Sequence, residues 1–305
     1  MDDLDVVGGV ADPYGEAAAL PTSRRSARAQ AVALSVVRSP TGVIGLILIS
    51  ITVGIAIFGP LFAPYNPTAV VGTPFEPPSS AHLLGTDFLG RDALSRVLAG
   101  GLTVLVVALL STMLAYLVAV PAGMLAGLRR RADLVVTPIA DLVLSFPSIV
   151  FVLVLLAATG PVLWVVVVGI AISHMPRITR IVRSATADIV ALEYIEAAVA
   201  RGESAWSIVR RDVLPNIATP LLTDVGLRFT FSVLLYSSLA YLGLGRPPPA
   251  ADWGGIINEN QLALTYRPLV CVVPAILIAL MAVGGSLIAD ALARTIGRSV
   301  VGRAG

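Results

Sequence analysis

Six long apolar runs, separated by polar segments of very unequal length, organise this chain of 305 residues. They fall at about 42–62, 101–128, 135–158, 161–177, 221–244 and 269–292. Each approaches or exceeds the ~20 apolar residues that a helix needs to cross a hydrocarbon core. The pattern therefore predicts an all-α integral membrane protein with six transmembrane helices. Residues 1–40 are polar and alanine-rich, interrupted by Pro13, Pro21 and Pro40. They predict a largely disordered cytoplasmic tail, with a short helix over 26–37. This tail does not resemble a cleaved signal peptide, because the first apolar run begins late and is long enough to span. Two polar loops stand out, one over 64–98 and one over 245–267, both dense in proline and glycine turn signals. Pro121, Pro147 and Pro274 fall inside spans, where neighbouring helices must satisfy the carbonyls they free.

Residues 193–216, EYIEAAVARGESAWSIVRRDVLPN, break this alternation with a charged, helix-favouring stretch between apolar segments. Ile189, Leu192, Ile195 and Val199 recur at helical spacing and predict one apolar face. Ala198 and Gly202 form a strip of small residues on which another backbone can approach closely. Gly202 suits the position that closes the helix. Ser204 suits the cap of a second short helix through about Val213, which Pro215 follows. The expected product is a helix–turn–helix at the membrane surface, with Glu196, Arg201 and Glu203 free for polar contacts. An ordinary amphipathic interfacial helix is an equal alternative on this pattern alone.

Composition agrees with a membrane protein. Only 13% of residues are charged, 56% are hydrophobic, and the mean hydropathy is +0.88. The single cysteine, Cys271, excludes an intrachain disulfide or a cysteine metal site and is expected to pack. All 21 basic residues are arginine, as a GC-rich genome such as an actinobacterial one produces. Without lysine the chain carries neither a Walker-A phosphate loop nor a Schiff-base nucleophile. Any ATP-driven work needs a second polypeptide. Arginine bias sets orientation: with the N-terminus inside, 16 arginines fall on cytoplasmic segments against four outside. Both termini and residues 177–218 are therefore expected in the cytoplasm.

Other candidate chemistry is sparse. His82 and His174 are expected on opposite sides of the membrane, which disfavours a shared metal. Asp141, Asp224, Arg228 and Asp290 fall in or near spans, where ionisable groups line an interior path or pair. Asp224 and Arg228 stand at i and i+4, so an intrahelical pair is the preferred reading over a substrate contact. In the first outer loop, Asp87, Arg91, Asp92 and Arg96 are interleaved with glycines, which favours a self-paired external cap. Trp253 suits the membrane interface.

The spacing Glu196-Ala197-Ala198, three residues, Gly202, then Leu214-Pro215 resembles the EAA motif of binding-protein-dependent ABC importer permeases. Asp212 departs from the isoleucine usual in that pattern. A second stretch is similar to the C-type subunits of dipeptide and oligopeptide permeases. It comprises His82, Gly85, Thr86 and Asp87, then Gly90, Arg91 and Asp92. Tyr241 to Gly245, with Trp253-Gly254, is similar to the fifth-to-sixth loop of the same subunits.

The resemblance covers most of residues 40–295 and implies the type I, MetI-like permease fold over 41–305. It implies a subunit of the bacterial cell membrane that forms half of a translocation pathway for short peptides by alternating access. The implied partners are a homologous B-type permease subunit, two cytoplasmic ATPase subunits or one fused ATPase, and an extracytoplasmic binding protein. The chain itself is expected to be non-catalytic and free of cofactors, with ATP and Mg held by the ATPase. The resemblance assigns motor coupling to the region around Glu196–Glu203, Ser204, Leu214 and Pro215. Importers of nickel chelates, haem or glutathione remain alternatives. An ion-coupled transporter or intramembrane enzyme would leave the spacing around Gly202 unexplained, and nothing points to a nucleic-acid partner.

Overall fold

The structure, a computed structural model, describes residue 37 and residues 39–301. Nearly all of the predicted N-terminal tail, including its short helix, lies outside the described residues, as does Arg303. Helix α1 (Pro40–Phe58) starts where Ser39 caps it, its hydroxyl accepting from the Gly42 amide at 3.1 Å. Pro40 occupies a first-turn position where a missing N–H costs nothing. A 3-10 turn, Gly59–Phe62, ends this span. Helix α2 (Ala93–Leu128) follows the outer loop, and Asp92 caps it by accepting from the Ser95 amide at 2.8 Å. The helix thus begins eight residues before the apolar run expected at 101, because capped polar residues extend it outward.

The third span is not one helix. It divides into α3 (Arg130–Leu144) and α4 (Ser148–Thr159), which meet at 89°. Pro147 has no N–H to continue the ladder, and its ring crowds the carbonyl of the preceding turn. The Ser145 hydroxyl turns back to donate to the Leu142 carbonyl, which helps close α3. Pro121 leaves α2 unbroken by contrast, inside a helix packed along most of its length.

The fourth span also differs from expectation. Helix α5 (Leu163–Val190) continues well past the end of the apolar run near 177. Ile178, Val182 and Thr186 bury one face of this extension against the bundle, while two arginines on it pair with α3: Arg180 with Asp141 and Arg183 with Asp133. His174 consequently lies mid-helix and buried. The polar region shrinks to α6 (Glu193–Ala200) and the one-turn α7 (Ala205–Ile208). A wide π turn, Val209–Val213, then runs into α8 (Leu214–Leu239). Helix α9 (Trp253–Glu259) lies in the second loop, and α10 (Leu269–Val301) completes the bundle.

Helix α2 packs most extensively on α5, and α10 on α1 and α8. Among the described residues five helices are long and apolar enough to cross a membrane, or six if the bent pair counts as one span. Two apolar cores stack along the bundle. One gathers Val104, Val166, Val233, Tyr236, Trp253 and Met281, and the other Ala119, Ile178, Ile195, Val213 and Ile217. Between them lies a thin polar layer.

Candidate functional site

The helix pair at 193–213 follows from local capping. At the end of α6, Gly202 adopts φ +84°. The Gly202 amide donates to the Val199 carbonyl at 2.9 Å and the Glu203 amide to Ala198 at 3.1 Å. These are the two bonds of a Schellman closure. Ser204 then caps α7, accepting from the Ser207 amide at 3.2 Å. Arg201 and Glu203 pair across the turn at 3.1 Å.

The predicted apolar face is only half correct. Ile195 and Ala198 are buried, while Leu192, Tyr194 and Val199 are exposed along with Glu196 and Ala197. Trp206 is 72% exposed. It lines a groove of about 490 Å³ with Ser204, Ser207, Arg210 and Arg211. Nothing in the chain lies within 4 Å of a side chain built at Gly202, so within this chain its requirement is conformational. Burial and the nearby Asp212 raise the Tyr194 phenol above its ordinary range.

Pro215 does not end the second helix as expected. It sits in the first turn of α8, and the π turn before it lets the chain pass from the short helix into the span without a break. The Leu214 amide reaches the Val209 carbonyl, five residues back. The side-chain amide of Asn216 donates to the Asp212 carbonyl at 2.7 Å. Leu214 itself is exposed, while Val213 is buried.

The outer loop is self-paired, as the acid–arginine alternation predicts. Asp87 is fully buried and accepts from Arg91 Nε at 2.6 Å and from Arg96 Nη1 at 2.7 Å. Its other oxygen accepts from the Leu89 and Arg91 amides. His82 meets Asp92 at 2.9 Å, and the buried Thr86 hydroxyl donates to the Thr73 carbonyl at 2.6 Å. Gly85 and Gly90 both have positive φ, and a side chain at Gly90 would strike the Gly72 carbonyl.

One member escaped the sequence. Glu259, at the end of α9, approaches Arg91 at 2.9 Å and Arg96 at 2.8 Å, tying the two outer loops together. Burial pushes its carboxyl up to about 7 against the opposing pull of Arg91. The neighbouring Asn260 accepts from the Phe88 amide at 2.9 Å. Trp253 is a correction: it is fully buried rather than interfacial, and its indole N–H donates to the Val97 carbonyl at 2.7 Å. Gly100 and Gly101 allow this fit, since a side chain at either would strike the indole, at 2.9 and 2.5 Å.

In the polar layer, Asp224 and Arg228 form the expected i, i+4 pair at 3.0 Å, both more than nine-tenths buried. Tyr116 donates to Asp224 at 2.7 Å. Ser232 bridges His174 at 3.0 Å and Thr112 at 3.2 Å. Asp141 is exposed and pairs with Arg180, outside this layer. Among the described residues, no three His, Cys, Asp or Glu side chains group as metal ligands would.

A helical bundle of up to six crossings, with a capped helix pair leading directly into one of them, defines a multi-span integral membrane protein. Residues 119–302 match the binding-protein-dependent transport system inner membrane component family. Residues 30–78 match the N-terminal transmembrane domain of oligopeptide transport permease C. A putative peptide transport system permease protein of Brucella suis is 34% identical over 250 residues, covering 82% of this chain and 84% of the relative. A probable D,D-dipeptide transport system permease protein of Escherichia coli K12 is 34% identical over 259 residues, covering 83% and 86%. A glutathione transport system permease protein of Pectobacterium atrosepticum is 34% identical over 218 residues, covering 71% and 72%. The chain belongs to the family of binding-protein-dependent transport system inner membrane components, the permease subunits of ABC transporters.

Proposed function

We propose that this chain forms one half of the translocation pathway of an ATP-driven importer of short peptides. The observation that carries the coupling role is the unit from Glu193 to Pro215. A rigidly closed helix turn exposes Tyr194, Val199 and Trp206, and continues through a π turn into the span α8. A soluble partner that grips this unit moves α8 with it. The partner is an ATPase subunit on the cytoplasmic side, where arginine bias also puts both termini.

ATP and Mg stay on that subunit, and the chain here contributes no catalytic group. A B-type permease subunit supplies the other half of the pathway. An extracytoplasmic binding protein delivers cargo to the side that carries the Asp87–Glu259 cap. Energy enters because the coupling unit contacts two motor states unequally, without which no conformational change follows. The glutathione permease among the relatives favours a second cargo, glutathione, which is itself a small peptide.

Vesicles reconstituted with the full complex and a radiolabelled dipeptide test this reading. Uptake should require ATP and should vanish when the motor's hydrolytic site is inactivated. Uptake that persists with an inactive motor, driven by an ion gradient, would contradict it.

A further inference from the structure

The break between α3 and α4 opens a cavity of about 260 Å³, lined by Ser145, Pro147, Ser148 and Phe151 and, from α5, by Ser173 and Arg177. Three arginines climb α5 at intervals of three residues: Arg183, Arg180 and Arg177. The first two are neutralised by α3, through Asp133 and Asp141. One turn beyond Asp141 that helix carries Ser145 in place of a third acid, and there the helix ends. Among the described residues no carboxylate pairs with Arg177. Arg177 lines the cavity without a carboxylate partner.

Depth makes this cation informative. Helix α4 has 12 residues and so rises only about 18 Å, short of the ~30 Å hydrocarbon core. Arg177 stands 14 residues into α5, about 21 Å along it. By length, the break and Arg177 both fall within one core thickness of the turn at residues 159–163. Irregular backbone there is tolerated only where protein or water covers it, and a charged side chain only where it faces an interior path. Both groups are exposed on the single chain, an arrangement that suits a wet path. The hydroxyl of Ser148 and the free first amides of α4 add donors, and the helix end adds positive potential.

We infer that Arg177 and the α3–α4 break form an anion subsite in the translocation path, which receives the C-terminal carboxylate of the transported peptide. This inference rests on the peptide-permease reading above. The subsite selects cargo independently of the binding protein, because its charge acts after release.

A tripeptide carrying a photoreactive C-terminal side chain and a free carboxylate tests it in reconstituted vesicles during turnover. Label should map to residues 143–151, should fall about tenfold in Arg177→Gln, and should survive in Arg177→Lys. The same result is expected in phosphatidylcholine vesicles with and without phosphatidylglycerol. Label mapping elsewhere, or unchanged in Arg177→Gln, overturns the subsite. An effect confined to vesicles with phosphatidylglycerol would assign the charge to a lipid headgroup. Loss of co-purifying permease partner in Arg177→Gln would assign it to an acidic residue of that partner. Wild-type vesicles that take up no peptide would overturn the transport reading and the subsite with it.

Discussion

Asp87 has no exposed surface, yet it holds two arginines and two backbone amides. Removing one member of such a buried network leaves charge uncompensated, at a cost of about 3–5 kcal/mol. Asp87→Asn should therefore lower the thermal unfolding midpoint of the detergent-solubilised protein clearly, whereas Glu76→Gln, at a loop carboxylate whose two bonds from Thr73 a glutamine oxygen can keep, should not. Equal midpoints for the two variants would contradict the clamp. The pairing of Asp87 with Arg91 and Arg96 was legible because acids and arginines alternate within ten residues. Glu259 was not legible, since its arginine partner lies 168 residues away and nothing local marks it. Trp253 was misread for a related reason. An aromatic beside a loop suggests an interface, but the Val97 carbonyl and the absent side chains of Gly100 and Gly101, on which the indole packs, hold it fully inside.

Helix ends were the least legible feature at the level of elements. Apolar runs mark where lipid or core is met, while caps and prolines mark where helices stop, and the two disagree here. Helix α5 outlasts its apolar run because Arg180 and Arg183 find acids on α3. The third span breaks inside its apolar run because Pro147 falls where no neighbour supports continuation. The turn at Gly202 was correctly placed, since glycine followed by a serine cap is a strong local signal. Its positive φ costs an ordinary residue roughly 1–2 kcal/mol, and the space around it is open. Gly202→Asn should thus keep most ATP-driven uptake, because asparagine tolerates this conformation, while Gly202→Val should lose most of it. Equal uptake by both variants would show that backbone conformation at the turn is not what coupling requires.

In the whole molecule, two apolar cores flank the layer of Asp224, Arg228, His174 and Ser232. The core that holds Trp253 adjoins the self-paired loops, and the core that holds Ile178 reaches the 193–215 helix pair through Ile195 and Val213. The helical bundle and the family were readable because they rest on hydropathy and short-range pattern. The broken span and the continuity of α7 with α8 depend on how prolines are accommodated in three dimensions.

The central claim is that residues 193–215 seat the ATPase. Cys271 is the only cysteine and is buried, so a Cys271→Ala background permits single-site cross-linking. Val199→Cys and Trp206→Cys, each placed at an exposed position, are joined to cysteines introduced on the ATPase surface in the assembled complex. A cross-link is expected from both positions, with a yield that changes when ATP is bound. No cross-link from either position, with one formed instead from Leu262→Cys in the opposite loop, would contradict it.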